Sequence, residues 1–224
     1  MFDGIVDRYD ALNRLISLGL DRFWRQATVR AIQAKPRDRV LDLGCGTGDL
    51  SRLVSGQARV AGVDVSWQML LRARGRLDPS VGLVRGSAFE LPFADGSFQG
   101  AVSGFVLRNL HDLEAAMAEL ARVMAPGGRI ALLDATEPRG FLRPAFDAYF
   151  RLAAPVFGAL AGKRQAYEYL AASLAQIPPP ADMCRILAHA GFDGCAAQPL
   201  TFGVVTLFTG LRSRRPARSG RGMQ

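Results

Sequence analysis

The segment Val40-Leu41-Asp42-Leu43-Gly44-Cys45-Gly46-Thr47-Gly48-Asp49-Leu50 constrains this chain more than any other. An apolar run ends in glycine at alternate positions, and Asp49 then opens a helical stretch. Glycine has no Cβ, so the backbone there can turn sharply and approach a ligand closely. A strand running into such a turn is how α/β sheets present backbone N–H groups to nucleotide-like molecules. The spacing is GxGxG, not the GxGxxG of dinucleotide sites. Asp64 follows Gly44 by 20 residues, at the end of a second apolar run, Val60–Val63. A carboxylate there can accept hydrogen bonds from two ribose hydroxyls.

Apolar periodicity sets out the rest. Residues 1–34 read as helical, with Tyr9, Leu12, Leu15 and Ile16, then Phe23, Trp24, Ala27 and Ile32, at helical spacing. Strands are expected at Arg39–Leu43, Val60–Asp64, Val81–Arg85, Ala101–Phe105 and Arg129–Leu133. Helices are expected from Asp49, at Trp67–Arg76 and at Leu113–Met124, with a turn at Pro126-Gly127-Gly128. Such βαβ alternation implies a parallel sheet with right-handed crossovers. A helical insert at about 141–175 interrupts it. A helix at Met183–Ala190 with Gly191 as its cap follows, then strands at Gly194–Pro199 and Val204–Leu211. With no internal linker, residues 1–212 read as one domain and 213–224 as a basic, disordered tail.

Composition excludes several classes. At 224 residues and 49% hydrophobic, the chain can bury a substantial core, so global disorder is excluded. Cys45, Cys184 and Cys195 are odd in number and not at metal-ligand spacing, which reads as free thiols in a reducing cytoplasm with no metal. No signal peptide is expected from the acidic, short-run N-terminus. The uncharged stretch Cys195–Leu211 carries Gln198, Pro199 and Gly203 and reads as strands rather than a membrane span. The net charge of +8 includes Arg212, Arg214, Arg215, Arg218 and Arg221 of the tail. That cluster suits either plain solvation or an anionic membrane surface. No aromatic platform accompanies it, so no nucleic-acid partner is expected.

The glycine turn with an acid at this distance resembles class I S-adenosylmethionine-dependent methyltransferases. Gly86-Ser87-Ala88-Phe89-Glu90-Leu91-Pro92-Phe93 resembles their adenine-bordering loop, and Ala125-Pro126-Gly127-Gly128 the turn before their fifth strand. A narrower resemblance is to the menaquinone/ubiquinone C-methyltransferases of quinone biosynthesis. It is carried by Arg8–Gly19 with Arg22-Phe23-Trp24-Arg25, by Phe105-Val106-Leu107-Arg108-Asn109-Leu110-His111-Asp112, by Tyr167-Glu168-Tyr169-Leu170 with Ser173 and Pro178, and by Gly191-Phe192 with Leu200–Val205. It covers roughly residues 5–212. It implies a Rossmann-like α/β fold, a mostly parallel seven-stranded sheet with helices on both faces, N-terminal helices and the insert as a lid. It implies S-adenosyl-L-methionine as cofactor, bound by Asp42, Gly44, Gly46, Thr47, Gly48, Asp64, Val65, Met69, Ser87, Ala88 and Gly104. Gly104 stands where relatives often carry serine, Asp134 and Ala172 where glutamate is common, and Val106 where glycine is frequent.

The implied reaction is C-methylation of a reduced polyprenyl quinone, with demethylmenaquinol first and 2-methoxy-6-polyprenyl-1,4-benzoquinol second. A phenol pKa of about 10 means the acceptor needs a base or a nearby cation at neutral pH. The catalytic candidates are Arg108, Asn109, His111, Asp112, Tyr9 and Asp10. Arg108 supplies positive charge or is a structural arginine tied to an insert carboxylate. Asn109 orients a ring oxygen or caps the next helix. His111 and Asp112 are candidate proton acceptors, while Tyr9 and Asp10 close over the site. His189 reads as structural; Tyr167 and Tyr169 are core or pocket residues. Phe146, Tyr149, Phe150, Leu152, Phe157 and Leu160 form a packed lid or an isoprenoid groove, with peripheral membrane contact at the inner face of the cell membrane. A homodimer is allowed for. Two rival readings stand: another lipid or phenol as acceptor, and a non-catalytic S-adenosylmethionine-binding module.

Overall fold

The computed structural model describes residues 17, 19–136, 144, 148 and 177–214. The expectations for Tyr9 and Asp10, for the insert with Tyr167 and Tyr169, and for the tail past residue 214 lie outside the described residues.

Helix α1 (Asp21–Ala31) is followed by β1 (Arg39–Leu43), α2 (Asp49–Ser55), β2 (Arg59–Asp64), α3 (Trp67–Arg74), β3 (Gly82–Arg85) and β4 (Phe98–Gly104). A 3-10 turn, Leu107–Asn109, leads to α4 (Leu113–Val123), β5 (Met124–Ala135), α5 (Pro180–His189), β6 (Phe192–Leu200), a second 3-10 turn (Thr201–Gly203) and β7 (Val205–Arg212). The seven strands lie in the order β3-β2-β1-β4-β5-β7-β6. Five are parallel; β7 runs antiparallel between β5 and β6.

Side chains two apart on a strand share a face, and the sheet separates two cores accordingly. Leu41, Leu43, Ile130 and Leu132 meet Met117 and Leu120 of α4 and Met183 and Leu187 of α5. Val40, Val102, Ala131 and Leu133 meet Trp24 and Val29 of α1, Leu50 and Val54 of α2, and Ala73 of α3. With both faces covered, β1 is buried from Val40 onward, which is why it reads as an unbroken apolar run. β1 pairs β2 on one side and β4 on the other, so the connections from its neighbours diverge there. Open α/β sheets bind ligands at that point, beyond the strands' carboxyl ends.

Three elements, β4, β5 and α5, begin three or more residues before their expected limits. β4 begins at Phe98 rather than Ala101. β5 begins at Met124, with Pro126-Gly127-Gly128 forming an irregularity inside the strand rather than a turn before it; the register with β4 shifts there, from Phe98↔Met124 to Gly100↔Arg129. A Cβ on Gly128 would lie 2.9 Å from the Ala125 carbonyl oxygen and 3.1 Å from that of Gln99, so the backbone there closes best around glycine. Helix α5 starts three residues early because Pro180 occupies its first turn, where proline's fixed φ fits and its missing N–H is not needed. Gly191 follows it at φ +94 as the residue past the cap. Among the described residues no helix is long and apolar enough to cross a membrane.

Candidate functional site

A cavity of about 260 Å³ opens at the carboxyl ends of β1, β2 and β4. Its floor is the turn after β1. Gly44, Gly46 and Gly48 all have positive φ, at 66°, 53° and 88°, the region side chains avoid. Two of them are also packed: a Cβ on Gly44 would meet Val106 Cγ2 at 2.4 Å, and one on Gly48 would meet Leu77 Cδ1 at 2.7 Å. Gly46 has nothing within 4 Å and faces the open cavity. Gly48 lies outside the cavity wall and acts as the left-handed residue that starts α2.

Asp64 ties the turn to β2. One carboxylate oxygen accepts the Gly46 N–H at 2.9 Å and the other accepts the Ser66 N–H at 2.9 Å. A second lone pair on each oxygen suits a ribose diol. Burial pushes the Asp64 carboxyl above its ordinary pKa, against the pull of the Ser66, Gly46 and Val65 amides. Thr47, Val65, Met69, Ser87 and Ala88 line the same end, joined by Ser66, Gly86 and Phe89. Ser87 Oγ accepts the Phe89 N–H at 3.2 Å, shaping that loop from within.

Asp42 does not reach the cavity wall. It is buried beneath the turn, where its carboxylate accepts the Ser51 hydroxyl of α2 at 2.6 Å. Burial raises its pKa to about 6. Asp42 therefore positions the strand-to-helix junction rather than contacting a ligand directly. Cys45 lies on the wall, but burial and the nearby Asp42 and Asp64 push its thiol far above the usual range.

The opposite wall follows β4. Gly104 is on it, and a Cβ there would press on Leu50 Cδ1 at 3.0 Å. Phe105 has φ +63, strained for a bulky side chain, and its N–H bonds Leu133 O at 2.7 Å. Its ring lies between two guanidinium groups, Arg25 at 5.7 Å and Arg108 at 5.4 Å. Arg108 itself is buried and off the wall. Its Nη1 donates to Asp134 Oδ1 at 2.6 Å, and its backbone N–H to Asp134 Oδ2 at 3.1 Å. Burial pushes the Asp134 carboxyl up while Arg108 pulls it back. The partner is thus a β5 residue, not an insert carboxylate.

Asn109 and Leu110 are on the wall, and Asn109 Nδ2 donates to Phe105 O at 3.3 Å. Asn109 does not cap the next helix; Asp112 does, accepting the Ala115 N–H at 2.9 Å. His111 and Asp112 are exposed and outside the wall, with the His111 ring packed 4.3 Å from that of Phe89.

Arg25 of α1 also lines the cavity, as does Asp49. Arg25 reaches Asp21 at 3.8 Å and Asp49 at 3.5 Å, while Asp49 is held by Arg76 at 3.1 Å. Trp24 anchors the helix, donating from Nε1 to Thr201 Oγ1 at 2.7 Å.

Residues 1–212 match the ubiE/COQ5 methyltransferase family. The chain belongs to that family. It is 39% identical over 95% of its length to the demethylmenaquinone methyltransferase of Desulfitobacterium hafniense, covering 88% of that protein. It is 34% identical to the ubiquinone/menaquinone biosynthesis C-methyltransferase UbiE of Geotalea daltonii, with 94% of each chain covered. Among solved structures it resembles the phosphoethanolamine N-methyltransferase 2 of Haemonchus contortus in complex with S-adenosyl-L-methionine. That likeness has a TM-score of 0.65 at 16% identity, over 85% of this chain and 52% of the other, and bears on the fold. As a family member with this class I fold, the protein is an S-adenosylmethionine-dependent methyltransferase.

In this methyltransferase Gly44, Gly46, Thr47, Asp64 and the 86–89 loop gather at one cavity, with Asp42 and Gly48 off its wall. Arg25, Cys45, Asp49, Phe105 and Leu110 also shape the cavity and had been assigned no role at it. Arg25 had a visible signal, a cation beside Trp24 on a helix that must cross the sheet, but its neighbours Asp49 and Gly104 are distant in sequence.

Proposed function

We propose that this methyltransferase C-methylates a reduced polyprenyl quinone, with demethylmenaquinol the first choice and the 2-methoxy-6-polyprenyl-1,4-benzoquinol precursor of ubiquinone the alternative. The observation that carries this reading is near-full-length similarity to a demethylmenaquinone methyltransferase. When bound, the sulfonium donor supplies an electrophilic methyl group. The Gly44–Gly48 backbone and Asp64 would hold it, since the cavity offers backbone N–H groups, a diol-accepting carboxylate and an apolar flank at Met69, Ala88 and Phe89.

The residues at the end of β4 then prepare the acceptor. The ring carbon forms its bond to the methyl as the carbon–sulfur bond breaks; sulfur keeps the electron pair, and the ring hydrogen leaves as a proton. The carbon is nucleophilic once a neighbouring hydroxyl is ionised, and each unit by which its pKa falls represents about 1.4 kcal/mol of anion stabilisation. Asn109, on the wall, orients the ring oxygen. Arg108 is a positioning residue: paired with Asp134, it fixes the turn that presents Asn109 and Phe105. His111, packed on the wall residue Phe89, is retained as proton acceptor, whereas Asp112 is committed to capping α4. Alignment of carbon, methyl and sulfur is the other large contribution.

Peripheral contact with a bilayer is supported by Val65 on the cavity wall and Trp67 and Leu71 on the adjoining helix α3, which are 60%, 54% and 48% exposed. Sedimentation with anionic vesicles tests it; a Trp67→Ala, Leu71→Ala double variant should pellet less, and wild-type protein that stays in solution would exclude it.

The reaction itself is tested by incubating the protein with methyl-labelled S-adenosylmethionine and reduced short-chain demethylmenaquinol or the matching benzoquinol. Label on the naphthoquinol ring carbon is expected. Label on the benzoquinol alone would select the alternative. No transfer to either, with donor binding confirmed, would sink the quinone reading.

A further inference from the structure

Arg25 is a largely enclosed cation on the cavity wall whose hydrogen-bonding capacity is not met among the described residues. Its side chain is 12% exposed, and its Nε is buried with no hydrogen-bond partner among the described residues. The contacts to Asp21 and Asp49, at 3.8 and 3.5 Å, are longer than the roughly 2.7–2.9 Å of a charge-assisted hydrogen bond. The terminal amino groups, held among the described residues only by the long Asp49 contact beside a cavity that Arg25 lines, keep donors for a ligand atom. We propose that Arg25 binds the α-carboxylate of the methyl donor's amino-acid end. This rests on the assignment of S-adenosylmethionine to the cavity.

Position supports the choice of that end. Asp64, Met69, Ser87 and Ala88 take the nucleoside, at the side of the cavity formed by β2 and the 86–89 loop. The rest of the donor must then run over the Gly44–Gly46 turn toward β4. Arg25 closes that side: a Cβ on Gly104 would lie 3.7 Å from its Nη1, and its guanidinium is over the Phe105 ring at 5.7 Å. A planar guanidinium is suited to a carboxylate, offering parallel donors from a fixed fork.

The surroundings fix the guanidinium without exhausting it. Asp21 holds it from one turn back along α1, and the ring of Phe105 limits its swing. Asp49 directs its other oxygen to Arg76. These acids also suit the donor as a whole, which brings an ammonium and a sulfonium along with its carboxylate. The β4 position next to the guanidinium is glycine, so the guanidinium and Leu50 pack close to the strand backbone at the cavity wall.

The test is calorimetric binding of S-adenosylmethionine, S-adenosylhomocysteine and decarboxylated S-adenosylmethionine to wild-type, Arg25→Gln and Arg25→Lys proteins. Wild-type protein should prefer the two carboxylate ligands over the decarboxylated one by about 10- to 100-fold. Arg25→Gln should weaken those two by that factor and leave the decarboxylated ligand nearly unchanged. Arg25→Lys should keep an intermediate preference and decides the matter if the glutamine variant does not fold. Equal loss for all three ligands would make Arg25 merely structural and overturn the proposal, as would an unchanged preference in either variant that binds. A wild-type protein that binds the donor without preferring the carboxylate would overturn it too. Failure to bind any of the three would instead remove the donor assignment, and the proposal with it.

Discussion

Two turns face each other across the cavity, and each is anchored by a buried aspartate with a different kind of partner. Under the donor turn, Asp42 accepts a neutral hydroxyl from Ser51 at 2.6 Å. Under the acceptor turn, Asp134 is bound by the Arg108 guanidinium at 2.6 Å and by the Arg108 amide. Burial pushes Asp42 up to about 6, and the neutral Ser51 hydroxyl pulls it back without supplying a countercharge. Burial pushes Asp134 up as well, but there a cation pulls it back and ties two stretches of chain together. The donor turn is therefore a backbone device with a titratable prop, and the acceptor turn is a side-chain device locked by an ion pair.

Breaking the lock should have the largest effect. Asp134→Leu leaves Arg108 buried and uncompensated, and should lower unfolding free energy by roughly 3–5 kcal/mol in denaturant titration. Adding Arg108→Met should restore much of that loss while turnover stays low. If the double variant were no more stable than the single one, the ion pair would not be the anchor.

Asp42 should show the contrasting behaviour. Between about pH 4 and pH 6 the folded state keeps a proton that the unfolded state has released, so stability falls as pH rises through that window. Asp42→Asn should flatten the dependence and raise stability at pH 7, by an upper bound of roughly 2–3 kcal/mol at about 1.4 kcal/mol per pKa unit. Asp64 and Asp134, also shifted upward, add slope of the same sign. An unchanged pH profile in Asp42→Asn would mean that this prop does not titrate.

Asp64→Ala tests the donor side directly. It should raise the donor Kd by roughly 10- to 100-fold by calorimetry, since it removes hydrogen bonds to a charged acceptor. Unaltered affinity would break the ribose assignment. The smallest effect should come from Asp112→Ala, which removes a helix cap and should cost about 1 kcal/mol of stability with turnover intact. A tenfold fall in turnover instead would restore Asp112 as a proton acceptor.

The same contrast explains what could be read from the chain beforehand. The donor turn is local: β1 and the start of α2 lie where the apolar run and alternating glycines put them, because those residues answer to their own backbone angles. The acceptor turn depends on partners 26 residues away, so the motif Arg108-Asn109 was visible but the role of Asp134 in holding it was not. Capping by Asn109 was one of two readings, since Asp and Asn have nearly equal cap preference; the helix starts at Leu113, as expected, which leaves the cap to Asp112 directly before it. Helix α5 begins before its apolar pattern does, since proline sets the first turn by φ rather than by burial.

Cys45 has a consequence for the chemistry of handling quinones. Oxidised quinones arylate thiolates, so a cysteine at the mouth of such a site would be a point of self-inactivation. Here the sulfur is on the wall but 7% exposed as a residue, and burial first, then the nearby Asp42 and Asp64 carboxyls, suppress its ionisation. The same burial that seats the donor turn thus also holds the adjacent sulfur as the less nucleophilic thiol.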